Sequence, residues 1–221
     1  MKQSQGIYFS DEFGMSDITN FYEDCLITQK ESASQNGWKD LKSQQTRFTQ
    51  MTHSVMQLYP ESICDVGCGT GDYLSYLRTI GFVGTYKGID MSERMINVAS
   101  INHSEDINAT FTTELSSFKA DVTVASGIFN VKGLTSDRVW KKYVRSVIEQ
   151  MWENSNLGIS FNVLSKYSDE KFRKKNLYYA DPKEIIEYCA QNLSDRLILD
   201  HSYDQFDMTV TVGKKIVLVS K

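Results

Sequence analysis

A glycine-rich turn after a short apolar run constrains this chain more than any other feature. Residues 62–66 read as a strand, Gly67-Cys68-Gly69-Thr70-Gly71-Asp72 follows, and a helical pattern comes next. Strand, glycine turn and helix in this order form the first ligand-binding turn of a doubly wound α/β sheet, whose ligands lie beyond the carboxyl ends of the strands. The spacing is Gly-x-Gly-x-Gly, and Asp72 stands where dinucleotide-binding folds have their third glycine.

Two carboxylates flank this turn, because Asp65 precedes it and Asp72 ends it. Both would repel the pyrophosphate of a dinucleotide, and both would attract a ligand that carries an ammonium and a sulfonium. A charge pair at roughly 4 Å is worth on the order of 4 kcal/mol at an effective dielectric near 20, before desolvation. The turn therefore disfavours a nicotinamide-dependent oxidoreductase and favours a cationic ligand.

Beyond the turn, strand and helix patterns alternate along the chain. We expect strands at 62–66, 85–90, 109–113, 121–126, 157–164, 196–201 and 208–212, and helices at 72–80, 93–101, 136–154 and 182–192. This alternation predicts βαβ units and a parallel sheet with right-handed crossovers. About six residues separate the last two strands, which is too short for a parallel crossover, so the seventh strand should run antiparallel. Residues 216–219 either continue it or fold back as a hairpin.

The N-terminal region has a different texture from the rest. Residues 39–58 carry apolar side chains at helical spacing, and residues 31–37 read as a break before them. Only two prolines occur, and no Pro/Gly/Ser linker or repeat is present. We therefore predict one compact domain at 60–221, preceded by a helical lid segment at 1–59.

Composition excludes several classes of function. The chain has 221 residues, a net charge of −4 and a pI of about 5.5, so charge gives no reason to expect nucleic acid as a partner. No run of about 18 apolar residues and no secretory signal is found, so we expect no membrane span. The four cysteines lack paired spacing and read as reduced thiols of a cytoplasmic protein. No His/Cys/Asp cluster has metal-ligand spacing, so we expect no metal.

Two motifs together carry a family resemblance. Asp65-Val66-Gly67-Cys68-Gly69-Thr70-Gly71, with Gly88-Ile89-Asp90-Met91-Ser92 after it, resembles motifs I and II of class I S-adenosylmethionine-dependent methyltransferases. The resemblance spans residues 60–221 and implies S-adenosylmethionine as the cofactor. It also implies a mostly parallel seven-stranded sheet of order 3-2-1-4-5-7-6 with strand seven antiparallel, which agrees with the loop-length argument.

The resemblance also implies a set of cofactor-binding residues. Asp65 would orient the methionine amino end, Asp90 would accept hydrogen bonds from the ribose hydroxyls, and Glu114-Leu115 would occupy the position of the adenine contact. Asp90 could instead serve the following helix N-terminus, and Glu114 could be a surface residue. The other residues that the resemblance places against the cofactor are Gly67, Cys68, Gly69, Gly71, Met91 and Ser126.

Two residues of the N-terminal segment resemble lid residues of small-molecule methyltransferases. Trp38 precedes the predicted helix, and Arg47 lies within it. A guanidinium can bind a carboxylate through two parallel hydrogen bonds, so Arg47 is a candidate partner of the cofactor carboxylate. The alternative is a solvated charge whose stem packs along the helix.

Acceptor chemistry should lie beyond strands four, five and six. His201 ends the sixth predicted strand and is a candidate general base, or a structural histidine beside Asp200. Asn162 in strand five is a second candidate catalytic residue. Tyr179 is the third, either as part of an acceptor pocket or as a packing residue.

The most specific function that these observations support is methyl transfer from S-adenosylmethionine to a small polar acceptor. Ile128-Phe129-Asn130 lacks the proline pair of amino-directed nucleic-acid methyltransferases, and a loose resemblance to surface-sugar enzymes suggests a sugar or sugar-nucleotide hydroxyl. A protein or tRNA methyltransferase remains an alternative, as does a non-catalytic S-adenosylmethionine-binding protein. Lys171, Arg173, Lys174 and Lys175 form the only dense basic cluster. The sequence leaves the oligomeric state open between monomer and homodimer.

Overall fold

The computed structural model describes residues 13–114 and 119–214. Seven strands form one sheet: β1 Ser62–Val66, β2 Thr85–Ile89, β3 Ala109–Thr112, β4 Ala120–Ala125, β5 Ser155–Leu164, β6 Leu197–Asp200 and β7 Asp207–Gly213. The helices are α1 Met15–Thr28, α2 Ser32–Gln35, α3 Leu41–Met56, α4 Asp72–Thr79, α5 Glu93–Asn102, α6 Asp137–Glu153 and α7 Pro182–Asn192. The predicted element at 216–219 lies outside the described residues.

The sheet confirms the predicted topology. Its strand order is β3-β2-β1-β4-β5-β7-β6, and β7 pairs antiparallel with both β5 and β6. The other pairings are parallel. Because the strands on either side of β1 continue in opposite directions through the sheet, a crevice opens at its carboxyl end, and ligands of doubly wound folds bind there.

Local capping explains where several helices begin. The Ser92 hydroxyl accepts a hydrogen bond from the Met95 amide, and the Asp181 carboxylate accepts one from the Lys183 amide, as their positions in the sequence predict. Glu184 does not complete a capping box at α7, because it forms an ion pair with Lys141 of α6 instead.

Buried side chains cover both faces of the sheet. Helices α3 and α4 pack on one face, and α6 and α7 pack on the other with the beginning of α1. Phe48, Met51 and Val55 of α3 are buried against the sheet, so α3 belongs to the core. The described residues before it lie over the carboxyl ends of the strands. We call residues 13–40 the lid segment. Across the described ranges, no helix has the length and apolar character that crossing a membrane requires.

Candidate functional site

A cavity of about 380 Å³ lies between the lid segment and the carboxyl ends of the central strands. One wall is the glycine turn after β1, and the opposite wall comes from α1 and the α2–α3 connection. This volume falls within the usual range of small-molecule sites. Nine of the residues assigned to the cofactor from sequence line it: Asp65, Gly67, Cys68, Gly69, Asp90, Met91, Ser126, Arg47 and Trp38.

The backbone of the glycine turn adopts a conformation that residues with a side chain rarely adopt. Gly67, Gly69 and Gly71 have φ angles of 77°, 54° and 85°, in the left-handed region that favours glycine. The amides of Gly67 and Cys68 both donate to the Ile89 carbonyl, at 2.7 and 3.0 Å. The turn is therefore tied to the end of β2, and its backbone forms the floor of the cavity.

Asp65 is a buried carboxylate with one oxygen unsatisfied. It is 2% exposed, and its Oδ2 accepts a 2.6 Å hydrogen bond from the Tyr86 hydroxyl. Its Oδ1 has no hydrogen-bond partner among the described residues. Burial raises the pKa of Asp65 to about 7, and the nearby Asp90 charge adds to that rise. An ammonium group in the cavity would satisfy this oxygen and stabilise its charge.

Asp90 joins the glycine turn to α5. Its Oδ2 accepts from the Gly69 amide at 3.0 Å, and its Oδ1 accepts from the Ser92 amide at 2.9 Å. Burial raises the pKa of Asp90 despite these bonds. Asp90 therefore binds the backbone at the N-terminus of α5. Each carboxylate oxygen keeps a further lone pair, which can accept a hydrogen bond from a ribose hydroxyl. Met91, beside it, accepts a hydrogen bond from Thr19 of α1.

One lid asparagine holds the glycine turn directly. Asn36 Oδ1 accepts from the Thr70 amide at 3.0 Å, while its Nδ2 donates to Thr70 Oγ1 at 2.7 Å and to Asp72 at 3.0 Å. Ser32, Gln44 and Thr70 also donate to Asp72. The Asp72 carboxylate is therefore satisfied by protein donors and binds the lid segment, whereas the sequence suggested that it attracts the ligand.

Arg47 and Trp38 form a stack at the other end of the cavity. The guanidinium binds the fully buried Asp207 of β7 through Nε and Nη2, and its Nη1 donates to the Ser43 carbonyl at 2.8 Å. Its Cζ lies 4.7 Å from the centre of the Trp38 ring. Arg47 therefore does bind a carboxylate through two parallel hydrogen bonds, as predicted. The carboxylate belongs to Asp207 of the chain, however, and not to the cofactor.

Asn162 braces the turn after β4. Its Oδ1 accepts from the Gly127 amide, and its Nδ2 donates to Ser126 Oγ, both at 2.9 Å. Asn162, a predicted catalytic residue, is 0% exposed and does not line the cavity. Gly127 has a φ of 87°, and a Cβ there would lie 2.7 Å from the Trp38 ring. Asn162 therefore positions the backbone on which Trp38 packs.

The other two predicted catalytic residues, His201 and Tyr179, are also absent from the lining of the cavity. His201 is exposed and follows β6, the edge strand, which is four strand spacings from β1, or roughly 19 Å. Tyr179 accepts a hydrogen bond from the Lys174 amide at 3.0 Å and thereby fixes the loop after β5. Glu114 is exposed and does not line the cavity, and Leu115 lies outside the described residues. Gly71 caps α4 just behind the cavity wall.

Sequence reasoning missed several residues that the fold brings to the site. Tyr22 of α1 lines the cavity, and its hydroxyl makes no hydrogen bond to another described residue. Burial raises the pKa of Tyr22, so it stays a hydrogen-bond donor at neutral pH. His103 packs beneath the turn, with its Nε2 3.0 Å from the Gly71 carbonyl, and burial lowers the pKa of this imidazole. Tyr22, His103, Asn36 and Tyr86 belong to no sequence motif, so no signal in the sequence indicated their place at the site.

The cavity chemistry fits S-adenosylmethionine. The unsatisfied Asp65 oxygen lies at the β1 end, and Asp90 offers acceptor lone pairs at the β2 end. The lining contains three carboxyl groups, those of Asp65, Asp72 and Asp90, which favour a cationic ligand over an anionic one.

Comparison with known proteins gives a consistent picture. A family model described as a methyltransferase domain matches residues 60–201. A Mycobacterium tuberculosis protein named as a methyltransferase is 37% identical over 156 residues, which cover 70% of this chain and 94% of that protein.

Solved structures share the fold at low sequence identity. Magnesium protoporphyrin IX methyltransferase from Synechocystis, with bound S-adenosylhomocysteine, has a TM-score of 0.60 and 15% identity over 93% of this chain and 96% of that one. An N-methyltransferase from Bradyrhizobium japonicum, in complex with S-adenosylhomocysteine, has a TM-score of 0.62 and 12% identity over 88% and 97% of the two chains.

Proposed function

This chain belongs to the methyltransferase domain family as a class I S-adenosylmethionine-dependent enzyme, and on that premise we propose that it methylates a small polar acceptor inside the lid-covered cavity. The single observation that carries the placement of the cofactor is the Asp65 oxygen without a partner, buried at the glycine turn. Burial disfavours the charged form of an unpaired carboxylate, and a cationic ligand at this oxygen would restore that charge.

The residues of the chain divide the work of binding. S-Adenosylmethionine supplies an electrophilic methyl group on a sulfonium. Asp65 would hold the ammonium, Asp90 would accept from the ribose hydroxyls, and the backbone of the glycine turn would contact the methionine part. The lid segment, held by Asn36, excludes water from the reacting atoms.

Acceleration in this cavity rests on positioning. No histidine, His201 included, is among the described residues that line it. Holding two reactants in an aligned, near-contact geometry can itself supply roughly 7–11 kcal/mol of the barrier reduction. Tyr22 and the amides of Asn130 and Gln205 line the cavity and are the polar groups that orient the acceptor.

A sugar or sugar-nucleotide hydroxyl is the acceptor that we propose. The wall formed by β4, β5 and the loop before β7 combines apolar side chains, Leu164, Leu177 and Phe206, with the amides Asn130 and Gln205. A sugar ring can pack its C–H face against such apolar groups while its hydroxyls bind the amides. The enclosure by α1 and Trp38 favours a small acceptor over a protein or tRNA. Four free thiols, three of them buried, support a cytoplasmic location.

Calorimetric titration tests this function. The full-length protein is titrated with S-adenosylmethionine, S-adenosylhomocysteine and NAD. Micromolar binding of the first two without binding of NAD supports the proposal. Incubation with methyl-labelled S-adenosylmethionine and a panel of sugars and sugar nucleotides then identifies the acceptor. Preference for NAD, or no binding of S-adenosylmethionine, would overturn the proposal.

A further inference from the structure

The loop between β5 and α7 differs in charge from the rest of the chain. Residues 165–179 contain five cationic and two acidic side chains, whereas the whole chain has a net charge of −4. All side chains from 169 to 176 are exposed. This loop is therefore a strongly basic surface, and it has no part in the cofactor site described above.

Not all of these cations are available to a ligand. Lys166 forms an ion pair with Asp181, and Lys171 lies 3.7 Å from Asp169. The Arg173 guanidinium donates to backbone carbonyls of the same loop, including that of Ser168 at 3.0 Å. Lys174 and Lys175 are exposed and form no ion pair with any described residue.

The backbone of the loop is held in place by contacts that do not involve the ammonium groups of Lys174 and Lys175. Tyr179 accepts from the Lys174 amide, and its ring lies 5.7 Å from the Arg173 guanidinium. Leu177 forms an isolated bridge with Val131, and Ala180 forms one with Ser165. The two lysines therefore project from a loop that is anchored on both sides, which lowers the entropic cost of binding an anion.

Two exposed aromatic rings connect this loop to the cavity. Phe172 is 55% exposed and Phe206 is 42% exposed, and their ring centroids lie 5.6 Å apart. Phe206 and Leu177 also line the cavity. Because Phe206 borders the cavity and Phe172 contacts Phe206, a ligand that extends out of the cavity at this end lies beside both aromatic rings and the basic loop.

We infer that this surface, formed by Phe172, Lys174, Lys175 and Phe206, binds the nucleoside diphosphate part of the acceptor, while the methylated group enters the cavity. The ammonium groups bind the diphosphate, and the aromatic rings stack on the base. The inference rests on the proposed function, because it names the class of acceptor for the same site. Two free lysines match one diphosphate, whereas RNA binding requires a longer series of phosphate contacts.

The test separates this inference from the proposed function. The full-length protein, saturated with S-adenosylhomocysteine, is titrated with UDP, dTDP, GDP, ADP, uridine, inorganic pyrophosphate and a polyuridine oligomer. We expect at least one nucleoside diphosphate to bind more tightly than pyrophosphate or uridine. In the variant K174E/K175E its affinity should fall roughly tenfold or more, and in Phe172→Ala roughly threefold to tenfold.

Controls make each outcome decisive. The variant R138E/K142E reverses two exposed charges on α6 and should leave nucleotide affinity unchanged, and all variants should bind S-adenosylmethionine as the parent does. Nucleotide binding that survives in K174E/K175E, or no nucleotide binding by a protein that binds S-adenosylmethionine, would overturn this inference alone. Binding of polyuridine without nucleoside diphosphates would also overturn it. Failure to bind S-adenosylmethionine would instead contradict the proposed function.

Discussion

The two ends of the cavity are built in different ways. At the β1 and β2 end, the glycine turn, Asp65 and Asp90 are held by contacts within two neighbouring strands and their turns. At the β4, β5 and β7 end, contacts join residues far apart in the chain, such as Arg47 with Asp207 and Trp38 with Gly127. The first end is built for one common ligand, and the second can vary with the acceptor. Substitutions at the two ends should therefore have different consequences.

The largest effect should come from breaking the buried ion pair at the second end. Arg47→Met leaves Asp207 fully buried without its cation, which should lower the free energy of unfolding by about 3–5 kcal/mol. Urea denaturation measures this change. The double variant R47M/D207L should regain most of the loss, since neither charge then remains buried.

A matched control for that variant is Arg78→Met, which breaks the more exposed pair with Asp106. We expect a loss of about 1 kcal/mol or less there. An equal loss in Arg47→Met and Arg78→Met would show that the buried pair is no more important than a surface pair.

The next effect concerns cofactor affinity at the first end. Asp65→Asn keeps the shape of the side chain and removes its charge, so S-adenosylmethionine affinity should fall by about 100-fold, or roughly 2.7 kcal/mol. Asp90→Asn should cost less, because its backbone hydrogen bonds and neutral hydroxyl partners do not require a full charge. Calorimetry compares the two, and a larger loss in Asp90→Asn would contradict the role given to Asp65.

The same substitution should change the pH dependence of stability. The pKa of Asp65 is about 7 in the folded protein, whereas an unfolded aspartate titrates near 4. Between these values the folded state holds a proton that the unfolded state has released, so the free energy of unfolding falls as pH rises through this window. Thermal unfolding of the cofactor-free protein from pH 4 to 8 should show a shallower decline in Asp65→Asn. An identical decline in both proteins would contradict the raised pKa.

A smaller effect is expected at the lid contact. Asn36→Ala removes hydrogen bonds to Thr70 and Asp72, worth about 1–2 kcal/mol together, so the KM for S-adenosylmethionine should rise about tenfold while kcat changes less. Limited proteolysis of the lid segment should be faster. Gln35→Ala is the matched control, because the side chain of this half-buried neighbour donates to the Gln29 carbonyl, within the lid segment. Equal changes in KM and in proteolysis rate in both variants would show that Asn36 has no particular part in holding the lid segment.

The smallest effect should follow His201→Ala. This side chain is exposed and outside the cavity, so kcat/KM should stay within about twofold and stability within about 0.5 kcal/mol. Steady-state kinetics with the acceptor checks this. A loss of more than tenfold would restore His201 as a general base and contradict the geometry described above.

The contrast between the two ends also explains what could be predicted from sequence. The glycine turn, Asp65 and Asp90 were predictable because a strand, its turn and the next strand fix them over a short stretch. The strand order and the antiparallel β7 followed from the resemblance and from one loop length. His201 was predicted to end the sixth strand, but β6 ends at Asp200 and is the edge strand, and the imidazole does not line the cavity.

Long-range partners could not be predicted in this way. Arg47 and Asp207 are 160 positions apart, and no local pattern distinguishes a guanidinium that binds a buried aspartate from one that binds a ligand. Asn36 lies in a stretch that reads only as a break between helices. Its contact with the glycine turn depends on how the lid segment packs, which is a property of tertiary structure.

Proton release on cofactor binding is the most direct test of the central claim that the unpaired Asp65 oxygen receives the ammonium of S-adenosylmethionine. Calorimetric titrations at pH 6.5, in buffers of different ionisation enthalpy, measure the protons released. A pKa of about 7 leaves Asp65 largely protonated at this pH, so binding should release more than about half a proton. Methylthioadenosine, which lacks the ammonium, should release almost none. Equal release with both ligands, or none with S-adenosylmethionine, would contradict the account.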